Sequence, residues 1–575
     1  MARGMSQRPA PSSLTGPAPF AGAVPAIFFH TDQIEGEGKD LVGRRSAGTG
    51  FLNGWLAHAG GAEIRALVET ADHGRALEQL LRDRGEPRPL RVTALQGGGD
   101  FSAADCVFFP GPGYHGASWR RQRLGPQNCS LVGLTHTVST RRIIEGLHAL
   151  MSEPVEEWDA IICTSRAVQS VVARQFEMEA DYFRQRFGAR RVPQPQLPVI
   201  PLGIDAAAFV PRPGGREAIR QAQGVPEQAV VVMTMGRLSV VEKANPVPLL
   251  LALEEVARGL DRPVHLWLTG WASRPEEEAL HREMAQLAPS VTVRLLDGRL
   301  PAIRRDVWAG ADIFTLPSDS IQETFGLVPV EAMAAGLPVV MPDWDGFRDT
   351  VLHGETGFLV PTRMAPPGMG ASLARRFGDR TDGYLHHLTL VQGHVQIDVP
   401  AYARALGALA GDATLRARMG AAGQWHVREH LDWSRVIPRY LDLARALAER
   451  RAGAVPTTPA LRPGSPNPLE IDTFDLYAGY PSTTLSADTP LYPGREVGPE
   501  FLALIDHLSG RDLYRRHLVT IEVALRILAE VRAQPGLTVA DLARRLGMER
   551  TAMGTASLSL AKSDALRLEE PPLRR

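Results

Sequence analysis

The sequence predicts an α/β protein of two Rossmann-like lobes followed by a mostly helical module. Three observations carry this reading. Short apolar runs alternate with helical patterns from Val24 to Arg450, as in parallel sheets covered by helices on both faces. The alternation pauses at Pro198-Val-Ile-Pro201-Leu-Gly203-Ile-Asp205 and then starts again. A stretch rich in Pro, Thr, Gly and Ser, Ala452 to Pro468, then sets off a helical tail.

Taken in order, residues 1–22 are rich in Ala, Pro, Ser and Gly and read as a disordered tail. They lack the apolar core of a signal peptide. The first lobe spans 23–200. Val24 to His30 reads as its buried first strand, followed by a Gly-rich loop through Gly48 and Gly50 and a helix from Phe51 to His58. Further strands are expected at Arg91–Ala94, Cys106–Phe109, Leu131–Thr135 and Ala160–Thr164.

The second lobe spans 201–430. Its strands are expected at Ala229–Met235, Pro263–Thr269, Val291–Leu296, Ile313–Leu316 and Val339–Met341, with a helix over Pro248–Arg258. Met364 to His394 is weakly patterned and reads as an insertion; Ala401 to Met419 returns to a helical pattern. A closing helix is expected over 431–451, a linker over 452–470 and an accessory module over 471–575.

Composition narrows the function classes. The chain has 575 residues, 44% hydrophobic and 22% charged, with a net charge of −1. That balance gives no argument for a general nucleic-acid or anionic-membrane binder. Cys106, Cys129 and Cys163 are scattered and lack metal-site spacing, as in a reduced, cytoplasmic protein. No apolar run is long enough to span a membrane, while peripheral contact with the inner membrane face stays open.

The richest segment runs from Glu323-Thr-Phe325-Gly326-Leu327 through Pro329 and Glu331 to Gly336-Leu-Pro338. Two carboxylates stand eight positions apart. Pro329 is tolerated in a first helical turn, so a helix starts near Leu327. The backbone N–H groups of Gly326 and Leu327 then lie at a helix N-terminus that suits a phosphate. Glu323 precedes that helix and Glu331 lies in its early turns, so both can face one ligand.

This segment resembles the Glu-x7-Glu motif of retaining nucleotide-sugar glycosyltransferases of the GT-B fold, family four (group 1). The resemblance covers about residues 24 to 450. It implies two lobes facing across a cleft, with the acceptor on the first and the nucleotide sugar on the second. By this resemblance Glu323 meets the transferred sugar and Glu331 the ribose. Gly236-Arg237 and Lys243 resemble the Arg and Lys that hold the donor diphosphate, though Lys243 stands one position farther than usual. His136 matches a His that touches the donor sugar. Phe325, Gly326 and Leu327 are expected among the donor contacts, and Gly48 and Gly50 to let backbone approach the donor phosphate. The donor is a nucleoside diphosphate sugar, the acceptor an unassigned glycan, lipid or small molecule, and no cofactor or metal is expected. Asp343-Trp-Asp345 spells a metal-type Asp-x-Asp and is read as a loop.

Two other readings compete with this one. Glycogen or starch synthase shares the fold, but Glu35-Gly-Glu-Gly-Lys39 lacks its Lys-x-Gly-Gly signature. A non-catalytic nucleotide-sugar sensor is the rival of another class. Its readout would be the tail, where Thr538-Val-Ala-Asp541-Leu-Ala-Arg-Arg-Leu546-Gly547 resembles a winged-helix module with Thr538 as N-cap. Helices are expected there at Leu513–Arg532, Val539–Leu546 and Glu549–Ala561. The tail is charge-balanced and its third helix is rich in Ser and Ala, which argues against nucleic acid. Oligomeric state is left open.

Overall fold

The computed structural model describes residues 25–34, 43–101, 103–457, 467–468, 470–510 and 519–568. The expected tail 1–22, the loop Glu35–Lys39, most of the expected linker and the first residues of the expected helix at Leu513 lie outside them. The chain divides into two compact units, Met1–Leu461 and Arg462–Arg575.

The first unit holds two six-stranded parallel sheets. In the first lobe these are β1 (Ala26–Phe29), β2 (Ile64–Val68), β3 (Leu90–Ala94), β4 (Cys106–Phe109), β5 (Ser130–Leu134) and β6 (Ala160–Ile162), in the order β3-β2-β1-β4-β5-β6. The second lobe repeats the plan with β7 (Val230–Arg237), β8 (Val264–Trp271), β9 (Val291–Asp297), β10 (Ile313–Thr315), β11 (Val339–Pro342) and β12 (Gly357–Val360), ordered β12-β11-β10-β7-β8-β9. Helices cover both faces, so the strands are continuous apolar runs: Leu131, Val132, Ile161 and Ile162 are fully buried. This is the GT-B architecture.

Strands β2 and β12 are additions to the sequence reading. Arg65 interrupts the apolar run of β2, and its guanidinium reaches Glu63 at 2.6 Å and the carbonyl of Ala103. The long stem of an Arg can follow a sheet while its head finds partners at the margin. The expected helix over Ala401–Met419 is two helices, Val399–Gly411 and Ala413–His430. Asp412 breaks them apart by accepting a hydrogen bond from the Leu415 N–H at 2.9 Å as N-cap of the second.

The insertion is more ordered than its sequence suggests. Its stem is an antiparallel pair, Thr362–Met364 with Val395–Ile397. Between them run helices Ala371–Gly378 and Tyr384–Gln392. Arg376 clamps the turn between these helices by a bidentate pair with Asp382, at 2.8 and 2.6 Å.

A long helix, Trp433–Gly453, returns the chain to the first lobe. Its Trp433 is 3% exposed. Cβ atoms built at Gly54 and Gly203 would lie 2.5 and 2.6 Å from the indole, so both glycines exist to admit that ring. Tyr440 then packs at 5.4 Å from both Phe51 and Phe108. Arg451 reaches the Asp105 carboxylate and the Ser130 hydroxyl. Beyond the helix, the Thr457 N–H and hydroxyl both donate to the fully buried Glu156 carboxylate, the hydroxyl at 2.6 Å.

The second unit contains helices Pro499–Leu508, Ile521–Ala533, Val539–Leu546 and Arg550–Ala561. Thr538 and Asp541 form a reciprocal capping box, and Gly547 ends that helix at φ +64°. Three short strands complete it, with Pro490–Pro493 pairing antiparallel to both Leu537–Thr538 and Leu566–Leu568. The central strand of this sheet therefore comes from the amino-terminal side of the module. No helix among the described residues is long and apolar enough to cross a membrane.

The Thr457–Glu156 contact sets where the first unit can be cut. A chain ending at Leu461 keeps it; one ending at residue 455 leaves the buried Glu156 carboxylate without these donors, at a cost of about 1–3 kcal/mol. Thermal melts of the two truncations should show the shorter one melting lower. Equal melting temperatures would remove Thr457 from the fold's account.

Candidate active site

In open α/β sheets of this order, loops at the carboxyl ends of the strands splay apart where the strand order reverses, and ligands bind in that crevice. The reversal falls between β1 and β4 in the first lobe and between β7 and β10 in the second. Arg237 ends β7, and Glu323 lies in the loop after β10. The topology alone thus brings two sequence-distant candidates to one crevice.

The loop after β10 is shaped by Gly326. It stands at φ +80°, and a Cβ there would fall 2.2 Å from the Phe347 ring. Both conditions demand glycine. Phe325, expected among the donor contacts, is 2% exposed and packed in the core; Gly346 lies against its backbone, where a Cβ would approach to 2.4 Å. Phe325 therefore anchors the loop. The helix Leu327–Ala334 begins at Gly326 as expected, and Glu331 lies half-buried on it.

Lys243 Nζ donates to Glu323 Oε2 at 3.0 Å, with both side chains mostly covered. Burial alone would raise the Glu323 pKa. The Lys243 charge and hydrogen bond, joined by the backbone N–H groups of Thr324 and Gly326, hold it below the ordinary carboxylate value instead. The helix N-terminus expected to lie open to a phosphate is thus engaged at Gly326 by this carboxylate. Lys243 reaches its position across Gly236, at φ +144°, where a Cβ would sit 3.0 Å from the Lys243 Cε. Arg237 Nη1 meets Glu242 Oε2 at 3.1 Å, a partner absent from the sequence reading.

The first lobe closes on this group. The Thr324 hydroxyl donates to the His136 carbonyl at 3.1 Å, and the Thr164 hydroxyl to the Thr324 carbonyl at 3.4 Å. Arg166 grips Asp349 through its N–H and Nε at 2.6 and 2.5 Å. His136 accordingly stands across the crevice from Glu323. Gly48 lines a cavity of the first lobe together with His136, but the local structure at Gly48 and Gly50 is not the expected loop. The helix containing them begins at Gly43, so neither lies in a loop. Gly48 admits the Gln33 carbonyl, to which a Cβ would stand at 2.0 Å, and Gly50 faces the Trp433 indole at 3.4 Å. Small residues suit a helix that others crowd, and here the crowding is protein.

Residues 229–377 match the family model of glycosyl transferases group 1. That span carries Arg237, Lys243, Glu323 and Glu331. The second lobe is thus similar to a group 1 glycosyltransferase domain. The chain is 30% identical to the D-inositol 3-phosphate glycosyltransferase of Rhodococcus erythropolis over 42% of its length and 54% of that protein's. It is 31% identical to the phosphatidyl-myo-inositol mannosyltransferase of Mycolicibacterium smegmatis over 42% of its length and 55% of that protein's. The chain therefore spans about half the length of these curated relatives. Among solved structures it is similar to Anabaena HepE in complex with UDP and glucose, at 16% identity and TM-score 0.43, covering 75% of this chain and 100% of that one.

Two features of this lobe escaped the sequence reading. The first is Asp345. Its pKa is raised to about 8, by burial first and then by the Glu323 and Asp349 charges. Oδ1 accepts from the Ser165 hydroxyl of the first lobe at 3.4 Å, and Oδ2 has no hydrogen-bond partner among the described residues. Asp343 instead pairs with Arg348 at 3.0 Å. The two carboxylates of Asp-Trp-Asp thus have separate partners. The second feature is readable from the sequence. Lys39, Lys243 and Lys562 are the three lysines in a chain with 63 basic residues. A chain that uses Arg almost everywhere keeps Lys at 243, where a compact ammonium on a flexible stem fits beside Glu323.

Asp345 makes stability depend on pH. Between the ordinary Asp pKa, roughly 4, and about 8 the folded chain holds a proton there that the unfolded chain has lost. This contribution is full at low pH and drains away as pH rises toward the folded value. Asn at 345 stays neutral and tolerates the φ of +44°. Asp345→Asn should therefore melt less differently between about pH 5 and about pH 9 than the parent does. Parallel melting curves at both pH values would refute the assignment.

Proposed function

We propose that this chain is a retaining glycosyltransferase that moves a sugar from a nucleoside diphosphate sugar to a hydroxyl acceptor. The observation that carries the reading is Lys243 on Glu323 at 3.0 Å, with Arg237 at the end of the neighbouring strand. Arg237, Lys243 and Glu323 lie at the carboxyl ends of β7 and β10, and Glu331 follows on the next helix, all within the span that matches the group 1 model. Such a set matches a donor with an anionic diphosphate and a hydroxyl-rich sugar.

In this reading Arg237 and Lys243 bind the diphosphate and stabilise the charge that develops as the bond from sugar to phosphate breaks. Glu331 accepts hydrogen bonds from the ribose hydroxyls. Glu323, held ionised, accepts from the sugar once Lys243 turns to phosphate. The acceptor oxygen bonds to the anomeric carbon on the face the diphosphate leaves, and its proton passes to the departing phosphate oxygen. His136 borders that face from the first lobe. No protein nucleophile and no metal are required, because Arg237 and Lys243 supply the positive charge. The named relatives act on inositol phosphate and phosphatidyl-inositol, which favours a polyol hydroxyl as acceptor group.

A panel of nucleotide sugars, followed by release of nucleotide, tests the proposal. Arg237→Ala should lower turnover at saturating donor by roughly 10²-fold or more. Lys243→Ala should act likewise with a smaller effect. Glu331→Ala should weaken nucleotide binding about tenfold in calorimetry, the loss of a charge-assisted hydrogen bond worth on the order of 1.5–3 kcal/mol. Activity should survive EDTA. Loss of activity in EDTA, regained with manganese, would return Asp343 and Asp345 to consideration as ligands. Near-normal turnover of Arg237→Ala would end the diphosphate assignment.

A further inference from the structure

The insertion at 362–397 forms one wall of a groove of about 1060 Å³. The opposite wall is the start of the first-lobe helix Arg141–Ser152. The lining is overwhelmingly apolar, with Ile144, Met364 and Met369 at 39, 47 and 60% exposure. Soluble proteins seldom leave such a surface open without a use for it. The volume reaches the upper end of ligand sites, roughly 300–1,000 Å³.

Position gives the groove its meaning. Its inner end is Ile321, two residues before Glu323, and its far wall begins beside Ser139, three residues after His136. It therefore runs out of the crevice at the acceptor side. Hydrogen bonds across the lobes hold it there: Ser139 Oγ with Tyr384 Oη at 2.8 Å, and Arg141 Nη1 to the Gly378 carbonyl at 2.6 Å. Gln392 at the end of the insertion also donates to Asp319 at 2.5 Å and to the Val240 carbonyl at 2.9 Å, in the loops that carry Glu323 and Lys243.

The chemistry of the walls selects the occupant. Aromatic groups are gripped by free ring faces. The ring in this lining, Phe377, already stacks on His387 at 4.3 Å and 15°. The rest of the walls is mainly aliphatic, with Ser139, Arg141, Glu145 and His394 as the polar exceptions and two flexible methionines that adapt to a chain of varying shape. We propose that the groove binds a linear hydrocarbon chain carried by the acceptor, so that the insertion makes this enzyme select alkyl-bearing acceptors. The inference rests on the transferase reading for its place in the reaction, and on the groove alone for its ligand.

The test uses the full-length protein and n-alkyl glycosides of four to ten carbons, below their micelle concentrations, in calorimetry without donor and as acceptors with whichever donor is hydrolysed. Affinity should rise about fourfold per added methylene, about 0.8 kcal/mol each, with a negative heat-capacity change, until the groove is full. Met369→Glu, at an exposed position, should abolish the chain-length dependence while leaving nucleotide affinity unchanged. Affinity independent of chain length, or a dependence that survives Met369→Glu, overturns the groove assignment. So does a parent dimer in light scattering that Met369→Glu dissociates, since the groove would then seat a second copy. If alkyl binding follows the prediction but no nucleotide sugar is bound or cleaved, the transferase reading falls and the groove assignment stands.

Discussion

The ion pair of Lys243 and Glu323 is the constraint on which the second lobe's site depends. It ties the loop after β7 to the loop after β10, at 3.0 Å, across the point where the strand order reverses. Because both side chains are largely covered, each charge needs the other, and removing one strands its partner. The pair also fixes protonation: Glu323 stays ionised because of Lys243, and Asp345 holds its proton partly because Glu323 is charged. One bond thus bears on the charge state of two carboxylates, though burial is the larger cause at Asp345. In the proposed reaction an incoming diphosphate competes for Lys243. Donor binding would then free Glu323 for the sugar at the moment a sugar arrives.

The geometry around that pair is bought with glycine. Gly326 turns the chain under Phe347, Gly236 lets the Lys243 stem cross the end of β7, and Gly346 admits the backbone of Phe325. On the other side of the cleft, Gly54 and Gly203 serve Trp433 in the same way. The returning helix therefore locks to the first lobe by shape, and Arg451 adds hydrogen bonds to Asp105 and Ser130. A rigid return matters for a two-lobed site, since His136 and Glu323 belong to different lobes.

These details explain what the sequence could and could not disclose. Buried parallel strands are unbroken apolar runs, so most were legible; β2, with its Arg65, and the short β12 that opens on Gly357 were not. Glu323 and Glu331 were legible because a helix start with Pro329 leaves little freedom in where they lie. The stretch through Gly48 and Gly50 reads as a loop because it is Gly-rich and follows a strand, whereas the structure makes it a helix. Only the structure shows that Gln33 and Trp433 fill the space those glycines leave. Glu242 and Asp345 were invisible for a different reason. Their roles come from partners five residues away across a turn, or in the other lobe, and no local pattern marks them.

The insertion is tied to the same loops. Asp319 is 5% exposed, and burial raises its pKa to about 6 even with Gln392 bonded to it. A carboxylate so placed is costly unless its donors stay put. Gln392 is one of those donors, and it ends a helix whose other end, Tyr384, is bonded to Ser139 of the first lobe. A chain of short contacts thus runs from the first lobe through the insertion to the loop before Lys243. Displacing Tyr384 would strain the Gln392 bond and, with it, the backbone at Val240. One short helix thus connects the wall of the apolar groove to the loop that leads to Lys243.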